Sequence, residues 1–185
     1  MEGMLELDSQ KKLLNYPFLS DNREYSPPLS SILRMIDSNS LKILEVLQED
    51  ARQTIQVISQ QVGLSATPCW KRIKEMESEG VITGYTVQVD RKKVGLNLLV
   101  LAEVTLSQHT EKAVAQFEDA VEATPQIVRG YSTTGQCDYV LVIMSTSIEA
   151  YEQFLKRDLF TLPVVSHVRS SVVLKELKRG AGLPL

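Results

Sequence analysis

From residue 37 to residue 79 apolar side chains recur at helical spacing; after Gly80 they alternate. Asp37 or Ser38 stands where a cap belongs, ahead of a stripe of Leu41, Leu44 and Leu47. The polar run "EDARQ" ends that first helix. Thr54 is placed to cap a second, with Ile55, Ile58 and Val62 inward, and Gly63 ends it because glycine takes the left-handed conformation a helix stop needs. Ser65 or Thr67 starts a third helix and Pro68 is tolerated in its first turn. Cys69, Ile73 and Met76 share its inner face at i, i+4 and i+7, and Gly80 closes it.

The second half reads differently. "VITGYTVQVD" over residues 81–90 predicts a strand, and "RKKVGLN" over 91–97 a polar connector. "LLVLAEVTL" (98–106) is rich in β-formers. A helix is predicted over 110–123, with Ala113, Phe117, Ala120 and Val121 on its stripe. Strands over 127–134 and 138–144 follow, joined by "GQC". Ser147 caps a helix carrying Ile148, Tyr151, Phe154 and Leu155, and a last strand covers 164–177. This β-α-β-β-α-β order is the ferredoxin-like arrangement. The fold class is therefore α+β: an N-terminal helix-turn-helix followed by a ferredoxin-like domain. Domain bounds are expected at 1–34 (a flexible extension whose Pro27-Pro28 pair forbids a continuous helix), 35–80, 81–97 (strand and linker) and 98–185.

"LLVLA" and "VVL" are nearly continuous, as in strands covered on both faces. Leu99, Leu101, Val140, Val142, Val168 and Val172 supply apolar residues to more than one face. A dimer through the sheet is expected, with residues 81–90 able to exchange between subunits.

Composition narrows the classes. The chain has 185 residues, 43% hydrophobic and 23% charged, with a formal charge of −3, so nucleic-acid binding requires a local basic patch. Cys69 and Cys137 have no CxxC spacing, which argues against a zinc site, a redox motif or a disulfide framework. No apolar run has the length of a membrane span and the N-terminus lacks a secretory pattern, so a cytoplasmic protein is expected. His109 and His167 are isolated, and no GxSxG, P-loop or GxGxxG occurs; nothing points to an enzyme or a bound cofactor.

The basic patch is in the third helix, "TPCWKRIKEMESEG", whose bases precede its acids, against the helix dipole. Taken alone, "KRIK" reads as the solvated face of an amphipathic helix. After two short helices and a Gly-containing turn, the same residues suit a recognition helix in a major groove. Ser65 and Thr67 near its start, with Lys71, Arg72 and Lys74 on its outer side, are the candidate DNA contacts. Trp70 either packs half-buried on a neighbouring helix or joins them. A ferredoxin-like domain also occurs in metabolite sensors that bind no DNA, with the first domain then holding a protein partner.

"LKILEVLQEDAR", "VGLSATPCWKRIKEMESEGVITGY" and "GQCDYVL", with the ending "GLPL", together resemble the Lrp/AsnC (feast/famine) family of bacterial transcription regulators, from about residue 36 to 185. The resemblance implies a winged-type helix-turn-helix, a C-terminal domain that binds a small amino acid, and dimers that assemble further into octamers. It places Ser65, Thr67, Lys71, Arg72 and Lys74 on the DNA-reading helix, and Gly135, Gln136 and Asp138 on the effector loop. "GQC" departs from the acidic or aromatic residues often found between that Gly and Asp, which bears on the effector's identity.

From its residues alone, "TTGQCDY" also reads as a plain hairpin. As a ligand loop, backbone N–H groups around Gly135 would face a carboxylate, Asp138 would take an ammonium, and Thr133 and Thr134 would add hydroxyls. Cys137 in the same loop is either incidental or a thiol sensor. Dimeric recognition helices would meet successive major grooves about 34–36 Å apart on a pseudo-palindromic site.

Overall fold

The computed structural model describes residues 36–178 and 182–185; the expected extension over 1–34 lies outside them. The described chain forms two compact units, one of residues 36–88 with the last residues from 177 onward, the other of residues 89–176.

The first unit is tri-helical: α1 (Ser38–Glu49), α2 (Ile55–Val62) and α3 (Ala66–Ser78). Asp37 caps α1 by accepting the Ser40 N–H at 2.8 Å. Thr54 caps α2 through the Val57 N–H. Gly63, at φ 72°, stops α2; its N–H reaches the Gln60 carbonyl and the Leu64 N–H reaches that of Ser59, the paired bonds of a Schellman motif. The reversal sets α3 running from Ala66 at a new angle. Ile43, Ile58, Val62, Cys69, Ile73 and Met76 form the core. On α1 the expected stripe of Leu41, Leu44 and Leu47 is displaced: Ile43 is the buried residue, with Leu44 and Leu47 only partly buried against the core and Leu41 outside it. Burial pushes the Cys69 thiol above its ordinary value, which leaves it a small core hydrophobe.

The expected strand over 81–90 has no ladder partner among the described residues. Val81 and Ile82 pack against the tri-helical core, and from residue 83 to 90 the side chains stand in solvent, Val87 78% and Val89 62% exposed. Alternation makes the segment suitable for a pleated ribbon, but a strand exists only where a neighbour takes its N–H and C=O groups. In the connector, the Arg91 guanidinium donates from Nη1 to the carbonyls of Leu96 and Asn97, both at 2.9 Å.

The second unit is an antiparallel sheet in the order β2-β3-β1-β4, with β1 (Leu98–Leu106), β2 (Ile127–Ser132), β3 (Tyr139–Ser145) and β4 (Val165–Val172). Helices α4 (Glu111–Glu122) and α5 (Ile148–Phe154) cover one face, the latter running into a π-helical turn, Leu155–Leu159. Thr110 and Ser147 cap them. Val100, Ala102, Val104, Leu141 and Ile143 from the sheet bury against Phe117, Tyr151, Phe154 and Leu159.

The expected last strand over 164–177 is shorter. Val172 pairs with Val100 and the Val173 N–H bonds the Leu99 carbonyl, but β1 begins at Leu98, so nothing remains for later residues to pair with. Leu174 and Leu177 are almost wholly exposed. Val168 and Val172 pair with Val104 and Val100, on the helix-covered side. The opposite face carries Leu101 beside Val142 and Tyr131 beside Val140; Leu101 and Tyr131 are 39% and 50% exposed.

Candidate DNA interface and effector loop

Ser65 occupies the N-cap of α3 but makes no side-chain cap bond, and it and Thr67 are exposed at the helix start. Trp70 is 54% exposed, so much of the indole stands in solvent rather than in a helix–helix seam. Lys71 and Lys74 are exposed, each beside an acid of the next turn: Lys71 Nζ lies 3.7 Å from Glu75 and Lys74 Nζ 2.5 Å from Glu77. This accounts for the charge order: the late acids hold the early bases. Solvent-exposed pairs of this kind are worth only about 0.2–1 kcal/mol, so releasing either lysine to a phosphate costs little.

Arg72 differs from the expected outer contact. Its guanidinium turns to the head of α1, with Nη2 2.5 Å from Asp37 Oδ2, and its Nε is buried. It ties α3 to α1.

In the second unit, residues 133–138 join β2 to β3. The Thr133 N–H donates to the Asp138 carbonyl at 2.8 Å, and its hydroxyl to the Cys137 carbonyl at 2.9 Å. Thr134, Gly135 and Gln136 form the exposed tip. Asp138 departs from the expectation of a carboxylate offered to an ammonium. It is buried, 3% exposed. Its Oδ2 accepts the Leu106 N–H at 2.8 Å, its Oδ1 lies 2.9 Å from His109 Nε2, and its own N–H donates to the Val104 carbonyl at 2.9 Å. The reason is register: β3 lies beside β1 in the sheet, so the residue just before β3 meets the end of β1 and the chain leaving it. His109 gave no signal in sequence because 29 residues separate it from Asp138.

The stems of the loop, Ser132 and Tyr139, also line a cavity of ≈ 460 Å³ between α4 and β2. Phe117, Val121 and Leu141 supply its apolar wall, and Glu118 and Glu122 its acidic side. The Tyr139 hydroxyl donates to Glu118 Oε1 at 2.8 Å, and its ring lies 4.6 Å from that of Phe117. Among the described residues, no group of His, Cys, Asp or Glu is placed to hold a metal ion, and no helix is long and apolar enough to cross a membrane.

Residues 36–83 match the family model for a winged helix-turn-helix DNA-binding domain, and residues 99–183 that for the Lrp/AsnC ligand binding domain. The proline dehydrogenase transcriptional activator of Rhizobium radiobacter is 36% identical over 143 residues, 77% of this chain and 92% of that protein. The chain belongs to the Lrp/AsnC family of transcription regulators.

Among other family members, the leucine-responsive regulatory protein of Klebsiella pneumoniae is 35% identical over 147 residues, 80% of this chain and 88% of its own. A solved structure of a Neisseria meningitidis transcriptional regulator in complex with L-Met superposes with a TM-score of 0.77 at 32% identity, covering 80% of this chain and 96% of that one. The tri-helical unit is thus the family's DNA-binding domain and the sheet unit its ligand-binding domain.

Proposed function

We propose that this regulator binds a pseudo-palindromic DNA site as a homodimer and responds to a small amino acid. The observation that carries the DNA half is the exposed row on α3: Ser65, Thr67, Trp70, Lys71 and Lys74 face solvent on a helix whose other face is core. The hydroxyls and the indole sit near the helix start, where base edges are reached, and the lysines flank phosphates. Arg72 acts from behind, fixing the angle of α3 through Asp37.

The effector half rests on the loop and the cavity its stems line. Amino-acid chemistry needs an acceptor for the ammonium, donors for the carboxylate and a wall for the side chain. Glu118 and Glu122 offer the first and Phe117, Val121 and Leu141 the last, while Thr134, Gly135 and Gln136 at the loop tip offer donors. Thr133 and Asp138 hold that loop in shape. The L-Met bound by the Neisseria relative supports an amino acid as the ligand class.

The dimer is inferred from the uncovered sheet face, with Leu101, Val142, Val140 and Tyr131 side by side. Residues 81–90 pair across the dimer, and octamers form from dimers. Along the chain the domains are bounded at 35–80, 81–97 and 98–185, with Leu183 of the last stretch returning to the tri-helical unit.

Fluorescence anisotropy with DNA from upstream of the protein's own gene tests both halves. Binding that weakens steeply with salt, withstands competitor DNA and shifts with one amino acid is the expected result. Specific binding indifferent to every amino acid would remove the effector half, and no binding at low salt would remove the DNA half.

A further inference from the structure

Gln48 lies near the C-terminal end of α1, on its exposed side. Its side-chain amide makes two hydrogen bonds to a single residue at the far end of the chain. Nε2 donates to the Leu183 carbonyl at 3.3 Å, and the Leu183 N–H donates to Oε1 at 2.5 Å. One primary amide can satisfy both groups only if they point the same way, as they do for a residue in extended backbone. Pro184 follows Leu183 and biases it to that conformation. Gly182 precedes it, and a Cβ there would fall 2.6 Å from Gln48 Oε1 and 2.7 Å from Cδ. Glycine therefore permits the close approach. Gly182 gives the clearance, Leu183 the pairing and Pro184 the stiffness.

We infer that Gly182–Leu185 is a latch, an extended segment of the chain's own C-terminus docked on α1 of the DNA-binding unit and gripped by the Gln48 amide. The chain leaves β4 at Val172, and Leu183 belongs to the same compact unit as Gln48. The contact depends on neither the identity of the effector nor the DNA site.

Hydrogen exchange of the amides of residues 46–50, read by mass spectrometry, tests the latch on the full chain. A chain ending at Lys178, and separately Gln48→Ala, should each speed exchange of that last turn about tenfold, the worth of one or two modest hydrogen bonds. The two changes combined should do no more than either alone, because both remove the same contact. Gly182→Val should reproduce the effect with every hydrogen-bonding group still present. Exchange at the parent rate in the shortened chain, or effects that add in the combined variant, would overturn the latch.

Discussion

Asp37 and Arg72 join the start of α1 to α3: one oxygen of the Asp37 carboxylate accepts the Ser40 N–H as a helix cap, and the other meets the Arg72 guanidinium at 2.5 Å. One side chain thus sets both where α1 begins and how the recognition helix lies against it. The Ser40 N–H, and after it Arg72, hold the Asp37 carboxyl below its ordinary value of 3.8.

The pH dependence follows from that direction. A carboxyl with a lowered folded-state pKa contributes stability that is complete above the unfolded value and lost as pH falls through the folded one. The helix-turn-helix unit should lose stability below about pH 3.8, and Asp37→Asn should flatten that acid limb. Asp37→Ala should cost about 0.5–2 kcal/mol at neutral pH through the lost cap. Urea unfolding followed by circular dichroism at several pH values measures both.

Arg72 and the lysines should separate in their effects. Lys71→Ala or Lys74→Ala should weaken DNA binding across all sequences and reduce the salt slope by about one each, with the melting temperature unchanged. Arg72→Ala should lower the melting temperature as well, because the bridge to Asp37 goes with it. Anisotropy titrations over a salt series, beside calorimetry, decide between these outcomes.

In the effector loop the division falls between anchor and tip. Asp138→Ala leaves the buried Leu106 N–H without its acceptor, a loss of about 1–3 kcal/mol, and should destabilise the sheet unit and abolish the amino-acid response together. Thr134→Ala and Gln136→Ala, at the exposed tip, should weaken the response with the melting temperature unchanged. A Gln136→Ala protein with parental response would place the donors elsewhere.

The open sheet face carries the oligomer prediction. Leu101→Glu puts a carboxylate between Val142 and Ser171 on that face, where a dimer would bury it with no cation directly opposite. Sedimentation velocity at micromolar concentration should show the parent as a dimer or larger and the variant as a monomer with its helices intact. A parent that sediments as a monomer would remove the sheet-face dimer from the account.

Local pattern carried much of this molecule. The caps at Thr54 and Ser147, the first cap as one of Asp37 and Ser38, the stop at Gly63 and the strand Leu98–Leu106 were all legible, because each is a short-range matter of side-chain chemistry and backbone freedom. Periodicity likewise marked Cys69, Ile73 and Met76 as the inner face of α3, and with it the outer face that meets solvent.

What the tertiary structure alone decided is which side chains turn inward. In sequence Arg72 stands with Lys71 and Lys74 among the bases of α3, and Asp138 beside Gly135 and Gln136 in the loop; only the fold shows that α1 puts Asp37 within reach of Arg72 and that β1 brings Leu106 and His109 to Asp138. The segment 81–90 alternates like a strand yet has no ladder partner among the described residues, and β4 stops where β1 has no more residues to offer. Spacing along a chain specifies a side chain's face on its own element; the partner that claims its charge or its hydrogen bonds comes from another element, brought there by the burial of residues far away in sequence.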